Sequence, residues 1–258
     1  MPVFVHADGA RTAHDVAGDG PALLLIHGAE GSRRSFDRLV PLLADRFTVI
    51  TYDQRDCGET QNAAAPADLA RLAYDADELL AGLGHATAFV FGTSFGGRVA
   101  QATALLHPSR VARLILASTW ALPASLRDLN GEVAIAMSRL RERLPQSAEQ
   151  LAEYFFPPAF LEAHPSFRQH FAKAPPRSER SERRAAAVGD VSALSPRDIA
   201  VPTLLLAGAA DRLVPSALTL GMKQDIAKSE CVVLDGVGHV ACTQAPQAVA
   251  DHLRRFLS

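Results

Sequence analysis

Six short apolar blocks recur through the chain, at residues 22–27, 47–52, 86–91, 111–118, 202–207 and 230–234, separated by longer stretches of a different character. Most are continuous runs of Val, Ile, Leu and Phe rather than alternating patterns, which predicts strands covered on both faces. Parallel strands need long crossovers, and 34–44, 66–82, 96–107 and 246–257 have the length and spacing of helices. Two weaker strands, 3–6 and 14–17, flank an Asp8-Gly9 turn. The expected fold is therefore α/β, with a mostly parallel eight-stranded sheet and helices on both faces.

One segment breaks the alternation. Residues 121–197 contain no strand candidate, while Arg, Glu, Phe and Pro crowd together in LRERLPQSAEQLAEYFFPPAFLEAHPSFRQHFAKAPPRSERSERR. We expect one core, built from 1–120 and 198–258, interrupted by a helical cap insertion at 121–197. An insertion beyond the carboxyl ends of strands sits where ligands bind in open α/β sheets, so a lid is expected. Its Phe155, Phe156, Phe160, Phe167 and Phe171 read mainly as the insertion's own core. The Arg/Glu run at 177–184 reads as a solvated helix face rather than an anion site. A length of 258 residues suits one such core.

Charge and cysteine content exclude more than they suggest. A formal net charge of −2 provides no broad positive field, so no nucleic-acid partner is expected. No stretch approaches the roughly 18 apolar residues of a membrane span, and Asp8, Gly9 and Arg11 interrupt the first apolar run before a signal-peptide core could form. Cys57, Cys231 and Cys242 are too scattered for a disulfide framework or a metal pair, which fits a reducing, cytoplasmic setting. The histidines show no metal-ligand spacing, so no metal is expected.

The sharpest motif is Gly92-Thr93-Ser94-Phe95-Gly96, a G-x-S-x-G between a strand block and a helical stretch. A serine on so sharp a turn has a strained backbone, and small residues two positions away let strand and helix approach. A serine hydroxyl alone is a poor nucleophile and needs a base with a group to orient it. Asp211 follows one later strand block and His239 follows the next, which puts both at the carboxyl edge of the sheet with Ser94. The chain order Ser, Asp, His is the one this kind of sheet uses.

With these residues in view, the chain resembles the α/β-hydrolase fold superfamily over nearly its whole length. LLLIHG with Ala29-Glu30-Gly31 is similar to the family's oxyanion loop, YDQRDCGET to the loop after the fourth strand, GTSFGGRVA to the nucleophile elbow, AGAADRLVP to the acid loop and GHVACTQAP to the histidine loop. Asp56 and Thr60 stand where the family usually has glycine and serine, and Gln244 where glutamate is common. The resemblance implies Ser94 as nucleophile, His239 as general base and Asp211 as its orienting acid, with the N–H groups of Ala29 and Phe95 as the oxyanion hole. It implies no cofactor.

Trp120, at the start of the insertion, and Val240, beside the histidine, are candidates for substrate contact. His27 is read as structural, Glu30 as facing outward or meeting a polar substrate end, and Arg98 as lying on an exposed helix face. The expected activity is hydrolysis of a small carboxylic ester through an acyl-enzyme on Ser94. Alternatives are a lactonase, on the likeness of FFPPAFLEAHP to enol-lactonase caps, a ligand sensor that signals to a protein partner, and a lyase of the same fold, on Arg98.

Overall fold

The computed structural model describes residues 2–29, 31–63, 67–172, 179–186 and 193–258. Its strands are β1 (Val3–Val5), β2 (Arg11–Ala17), β3 (Ala22–Ile26), β4 (Thr48–Tyr52), β5 (Ala88–Thr93), β6 (Val111–Ala117), β7 (Thr203–Gly208) and β8 (Ser229–Leu234). They form one sheet in the order β1-β2-β4-β3-β5-β6-β7-β8. β1 and β2 run antiparallel to their neighbours, and β3 to β8 are parallel. The expected eight-stranded, mostly parallel sheet is what forms.

Both faces of the sheet are apolar because the strands carry large residues at odd and even positions alike. Leu24, Ile26, Val90, Leu114, Leu116 and Leu205 face one layer, where they meet Leu72, Leu79 and Leu80 of α1 (Leu69–Gly82) and Val99 of α2 (Phe95–Leu106). Leu23, Leu25, Phe91, Ile115, Leu204 and Leu206 face the opposite layer. A period of two with both phases hydrophobic is the physical content of the continuous blocks.

Between β6 and β7 the chain forms α3 (Leu126–Leu129), α4 (Gly131–Glu142), α5 (Ala148–Phe155), α6 (Pro158–Ala163), α7 (Ser166–Ala172) and α8 (Glu179–Ala186), with no strand among the described residues. After β7 come α9 (Ser216–Gly221), α10 (Ala241–Gln244) and α11 (Pro246–Leu257), whose Val249, Leu253 and Phe256 close the second layer. The segment between β6 and β7 has small cores of its own. Trp120, Met137 and Leu151 pack with Leu213 and Val214 of the loop after β7, while Ala152, Phe156 and Leu161 pack with Phe160 and Phe167.

Three expectations need correction. The stretch 34–44 is two short 3-10 turns, Arg33–Phe36 and Val40–Leu42, rather than one α-helix. Pro41 lacks the N–H that a continuous helix would use there, while Phe36, Leu39 and Leu43 keep the helical spacing by being buried. The helix expected from 66 begins at Leu69, where the Asp68 carboxylate accepts the Arg71 N–H as an N-cap, and Pro66 lies outside the described residues. Arg98 is not on an exposed face: α2 is packed on all sides and Arg98 is 2% exposed.

Candidate active site

β5 ends at Thr93 and α2 begins at Phe95, so Ser94 makes the whole turn, with φ 54° and ψ −125°. A positive φ away from glycine costs on the order of 1–3 kcal/mol and persists only when the surroundings fix it. Here the Ser94 N–H donates to Ala117 O at 3.0 Å, and the Ser94 carbonyl accepts from Gly97 N at 2.9 Å and from Thr119 Oγ1 at 2.7 Å. Thr119 is itself clamped by Thr219, whose hydroxyl accepts the Thr119 N–H and donates to its carbonyl. No motif signals Thr119, since its partner is 100 residues away.

Gly96 is required by close approach: a Cβ there would run into the carbonyl oxygens of Ile26 and His27. We expect Gly96→Ala to destabilise the fold by about 1–3 kcal/mol or more, measurable as a shift in the urea midpoint.

At the next strand ends stand the other two residues. Asp211 follows β7, and its Oδ1 accepts the N–H groups of Leu213 at 3.0 Å and Val214 at 2.8 Å. Its Oδ2 lies 2.9 Å from His239 Nδ1, and both side chains are buried. A carboxylate at Nδ1 selects the tautomer with its proton there and leaves Nε2 as the basic nitrogen.

The loop that carries His239 after β8 is braced by Gln244. The Gln244 Oε1 accepts Gly238 N at 2.8 Å and its Nε2 donates to Gly236 O at 2.8 Å. An amide does both jobs where a carboxylate could only accept. The structure joins Asp211 to His239 directly and sets Ser94 on the same sheet edge. The Ser94 hydroxyl itself makes no hydrogen bond to another described residue. Such bonds are often long in a free enzyme and tighten around substrate.

The loop after β3 passes over Ser94. A Cβ on Gly28 would stand 3.2 Å from Ser94 Cβ and 3.7 Å from Ser94 Oγ. The N–H groups of Ala29 and Phe95 are not spent on any other described residue. Glu30 lies outside the described residues.

His27 holds this loop. Its Nδ1 donates to Gly28 O at 2.8 Å, its Nε2 accepts Gln54 N at 3.2 Å, and Gln54 Nε2 donates to His27 O at 2.6 Å. Burial, and then the nearby Arg184 charge, pull the His27 pKa down to about 3 from 6.5. Between those values the unfolded chain binds a proton that the folded chain refuses. The contribution is complete above pH 6.5 and is lost as pH falls towards 3. The slope from this one group reaches about 1.4 kcal/mol per pH unit. Urea melts across that window should show the fall, and His27→Gln should flatten it. The half-buried His107 and His252, whose pKa values burial also lowers, add terms of the same sign that the variant retains.

The loop after β4 accommodates its departures from the family pattern. Asp56 takes φ 59°, the conformation a glycine would supply, and its carboxylate pairs with Arg183 at 2.7 Å. Thr60 Oγ1 donates to Asp53 O at 2.6 Å and accepts Ala13 N at 3.1 Å, which ties the loop to β2. Gly58, at φ 45°, has no room for a Cβ beside the Asp53 carboxylate.

The run expected as a solvated face does not behave as one. Within α8, Glu179 and Glu182 are exposed, whereas its arginines turn onto the loop after β4. Arg180 Nη2 donates to Cys57 O and Thr60 O, and Arg183 holds Asp56. Arg184 reaches Arg55 O at 3.2 Å and Gly28 O at 3.3 Å. Alternating signs at helical spacing do not distinguish mutual pairing from pairing with another element. Residues 177 and 178 lie outside the described set.

Trp120 and Val240 both sit where the helical segment meets the core. Trp120 is buried, donates from Nε1 to Ala124 O at 2.9 Å and presents its ring to the Arg98 guanidinium. Val240 is half-buried against the cluster of Phe156 and Leu161. Away from this edge, His6 meets Glu78 at 2.6 Å and Asp75 at 3.5 Å, a grouping no sequence spacing announces. Both Asp75 oxygens already accept from Arg55, and Arg71 adds a third contact, so the carboxylate is saturated by arginine.

Comparison with known proteins agrees with this geometry. The family model described as alpha/beta hydrolase fold matches residues 21–246. The chain is 28% identical over 260 residues to a protein of Acinetobacter baylyi called 3-oxoadipate enol-lactonase 2, covering 96% of this chain and 95% of that protein. Among solved structures, a thermophilic esterase from Thermogutta terrifontis is similar over 100% of this chain and 98% of its own, with TM-score 0.83 and 27% identity. The enol-lactonase from Burkholderia xenovorans LB400 shares the fold, with TM-score 0.84 and 22% identity over 99% of each chain.

Proposed function

Because the chain belongs to the alpha/beta hydrolase fold family, we propose that it is a serine hydrolase that cleaves a small carboxylic ester through an acyl-enzyme on Ser94. The observation that carries this reading is the buried Asp211–His239 pair on the sheet edge that also holds the strained Ser94.

In this mechanism Ser94 Oγ attacks the carbonyl carbon while its proton passes to His239 Nε2. The Ala29 and Phe95 N–H groups receive the oxyanion; one such donor typically contributes about 10²–10³ in rate. Collapse breaks the bond to the leaving oxygen, which takes the proton from His239. A water then gives its proton to His239 and attacks the acyl carbon, and Ser94 departs with that proton. Asp211 stabilises the imidazolium formed at each stage. No step calls for a metal or an organic cofactor.

We read residues 121–197 as a cap, with Trp120 and Val240 at its root as substrate contacts. A lactone is the second reading, favoured by the near full-length similarity to a protein called 3-oxoadipate enol-lactonase 2. In a lactone the leaving oxygen remains tethered to the acyl group, so the same residues serve.

A panel of p-nitrophenyl esters and lactones tests the proposal, together with a fluorophosphonate probe. Multiple turnovers and labelling confined to Ser94 are expected. A single slow acylation with a large conformational response would replace the hydrolase by a ligand sensor, and labelling that persists in Ser94→Ala would remove the nucleophile assignment.

A further inference from the structure

We propose that Arg184 is the docking point for a carboxylate carried by the substrate, so that the site serves anionic esters or lactones. The inference rests on the reading of Ser94 as nucleophile and adds a substrate class to it.

Position comes first. Gly28 lies between Arg184 and Ser94: its α-carbon faces the Ser94 side chain, while its carbonyl accepts from Arg184 Nη2 at 3.3 Å. The guanidinium carbon stands 5.5 Å from the centre of the Phe95 ring. Arg184 therefore meets the loop after β3 at the Gly28 carbonyl and the turn at the Phe95 ring, on either side of Ser94, although it comes from α8, far along the chain.

Charge comes second. Each carboxylate of the neighbouring loop is already held by another arginine: Asp53 and Glu59 by Arg33, and Asp56 by Arg183. Arg55, in the same loop, has Asp8 and Asp75. Arg184 has only the carbonyls of Arg55 and Gly28 and the Cys57 sulfur as acceptors, with no carboxylate among the described residues. A half-buried guanidinium without a counter-charge favours an incoming anion.

Geometry comes third. Arg55 and Arg183 each use the Nε/Nη2 edge to hold an aspartate. On Arg184 that edge is not spent on a carboxylate: Nε is buried with no acceptor, and Nη2 has one carbonyl for its two hydrogens. A planar fork beside an acyl-transfer site matches a carboxylate in two parallel hydrogen bonds. The sequence run that held the Arg/Glu alternation thus contains a cation with no anion to answer it among the described residues.

The test compares p-nitrophenyl hemiglutarate with the same molecule capped as its methyl ester, above the uncatalysed rates, in the full-length protein. Wild type should prefer the free carboxylate by at least tenfold in kcat/KM, mostly through KM. Arg184→Gln should erase that preference, and Arg184→Lys, which keeps the charge without the fork, should retain part of it.

Glutarate binding by calorimetry provides a readout independent of turnover, and it should be present in wild type and lost in Arg184→Gln. Equal rates for the two esters, or a preference unchanged in Arg184→Gln, overturns the anion site while ester turnover leaves Ser94 in place. Arg184-dependent glutarate binding with no turnover of either ester does the reverse: the anion site stands and the hydrolase reading fails.

Discussion

Ser94→Ala is expected to lower kcat on a p-nitrophenyl ester by about 10⁴–10⁶-fold while leaving the fold intact. The size follows from covalent catalysis: without the hydroxyl there is no acyl-enzyme, and what remains is binding plus whatever the oxyanion donors do for direct attack by water. The fold should tolerate the change because the Ser94 hydroxyl has no hydrogen-bond partner among the described residues. The turn is held through the Ser94 backbone, by Ala117, Gly97 and Thr119, and all three bonds survive truncation of the side chain. The thermal midpoint should therefore move by only a few degrees. Activity within tenfold of wild type would remove Ser94 from the chemistry altogether.

Asp211→Asn is the second large effect, about 10⁴-fold in kcat, and its cause is orientational. Asp211 Oδ1 accepts two loop N–H groups, from Leu213 and Val214. In the variant the amide oxygen keeps that place, because the amide nitrogen cannot accept. The NH₂ group then faces His239 Nδ1 and makes it an acceptor. The ring proton moves to Nε2, and the nitrogen that should deprotonate Ser94 is no longer basic. Burial and hydrogen-bond count barely change, so stability should hold while rate collapses. A kinetic series with a parallel urea melt separates the two. Unchanged kcat would require another acid, and the segment after β6 offers none nearby: residues 118–127 contain no Asp or Glu. Asp128 is committed to the cap of α3 through Ser125.

The parts of this site that could be read from sequence are those whose chemistry is local. Gly92, Ser94 and Gly96 announce a turn because adjacent residues carry the steric requirement, and Asp211 and His239 announce themselves by following strand blocks. The sheet was legible for the same reason, since burial on both faces leaves unbroken apolar runs. Sequence reading failed where a partner lies far along the chain. Thr119 looks like any hydroxyl at a strand end until Thr219 clamps it. Arg98 sits on a helix whose composition does not reveal that its outer side is covered. The arginines of α8 alternate with glutamates as a solvated helix would, and only the loop after β4 shows what they bind. The stretch 34–44 shows a helical spacing that burial of Phe36, Leu39 and Leu43 around two short turns also produces.

The hydrogen bond from the His239 N–H to Phe155 O, at 2.9 Å, makes the proposed general base a mechanical neighbour of α5. Gly238 is pressed so closely against Phe155 and Pro157 that a Cβ there would stand 2.7 Å from Phe155 O and 2.9 Å from Pro157 Cδ. Any excursion that lifts α5 off the sheet edge therefore strips the His239 amide of its partner and disturbs the base. A motion that pivots about residues 155–157 disturbs neither. On the reading of the helical segment as a cap, its fixed point is therefore at residues 155–157, beside His239, while α8 rests separately on the loop after β4 through its arginines.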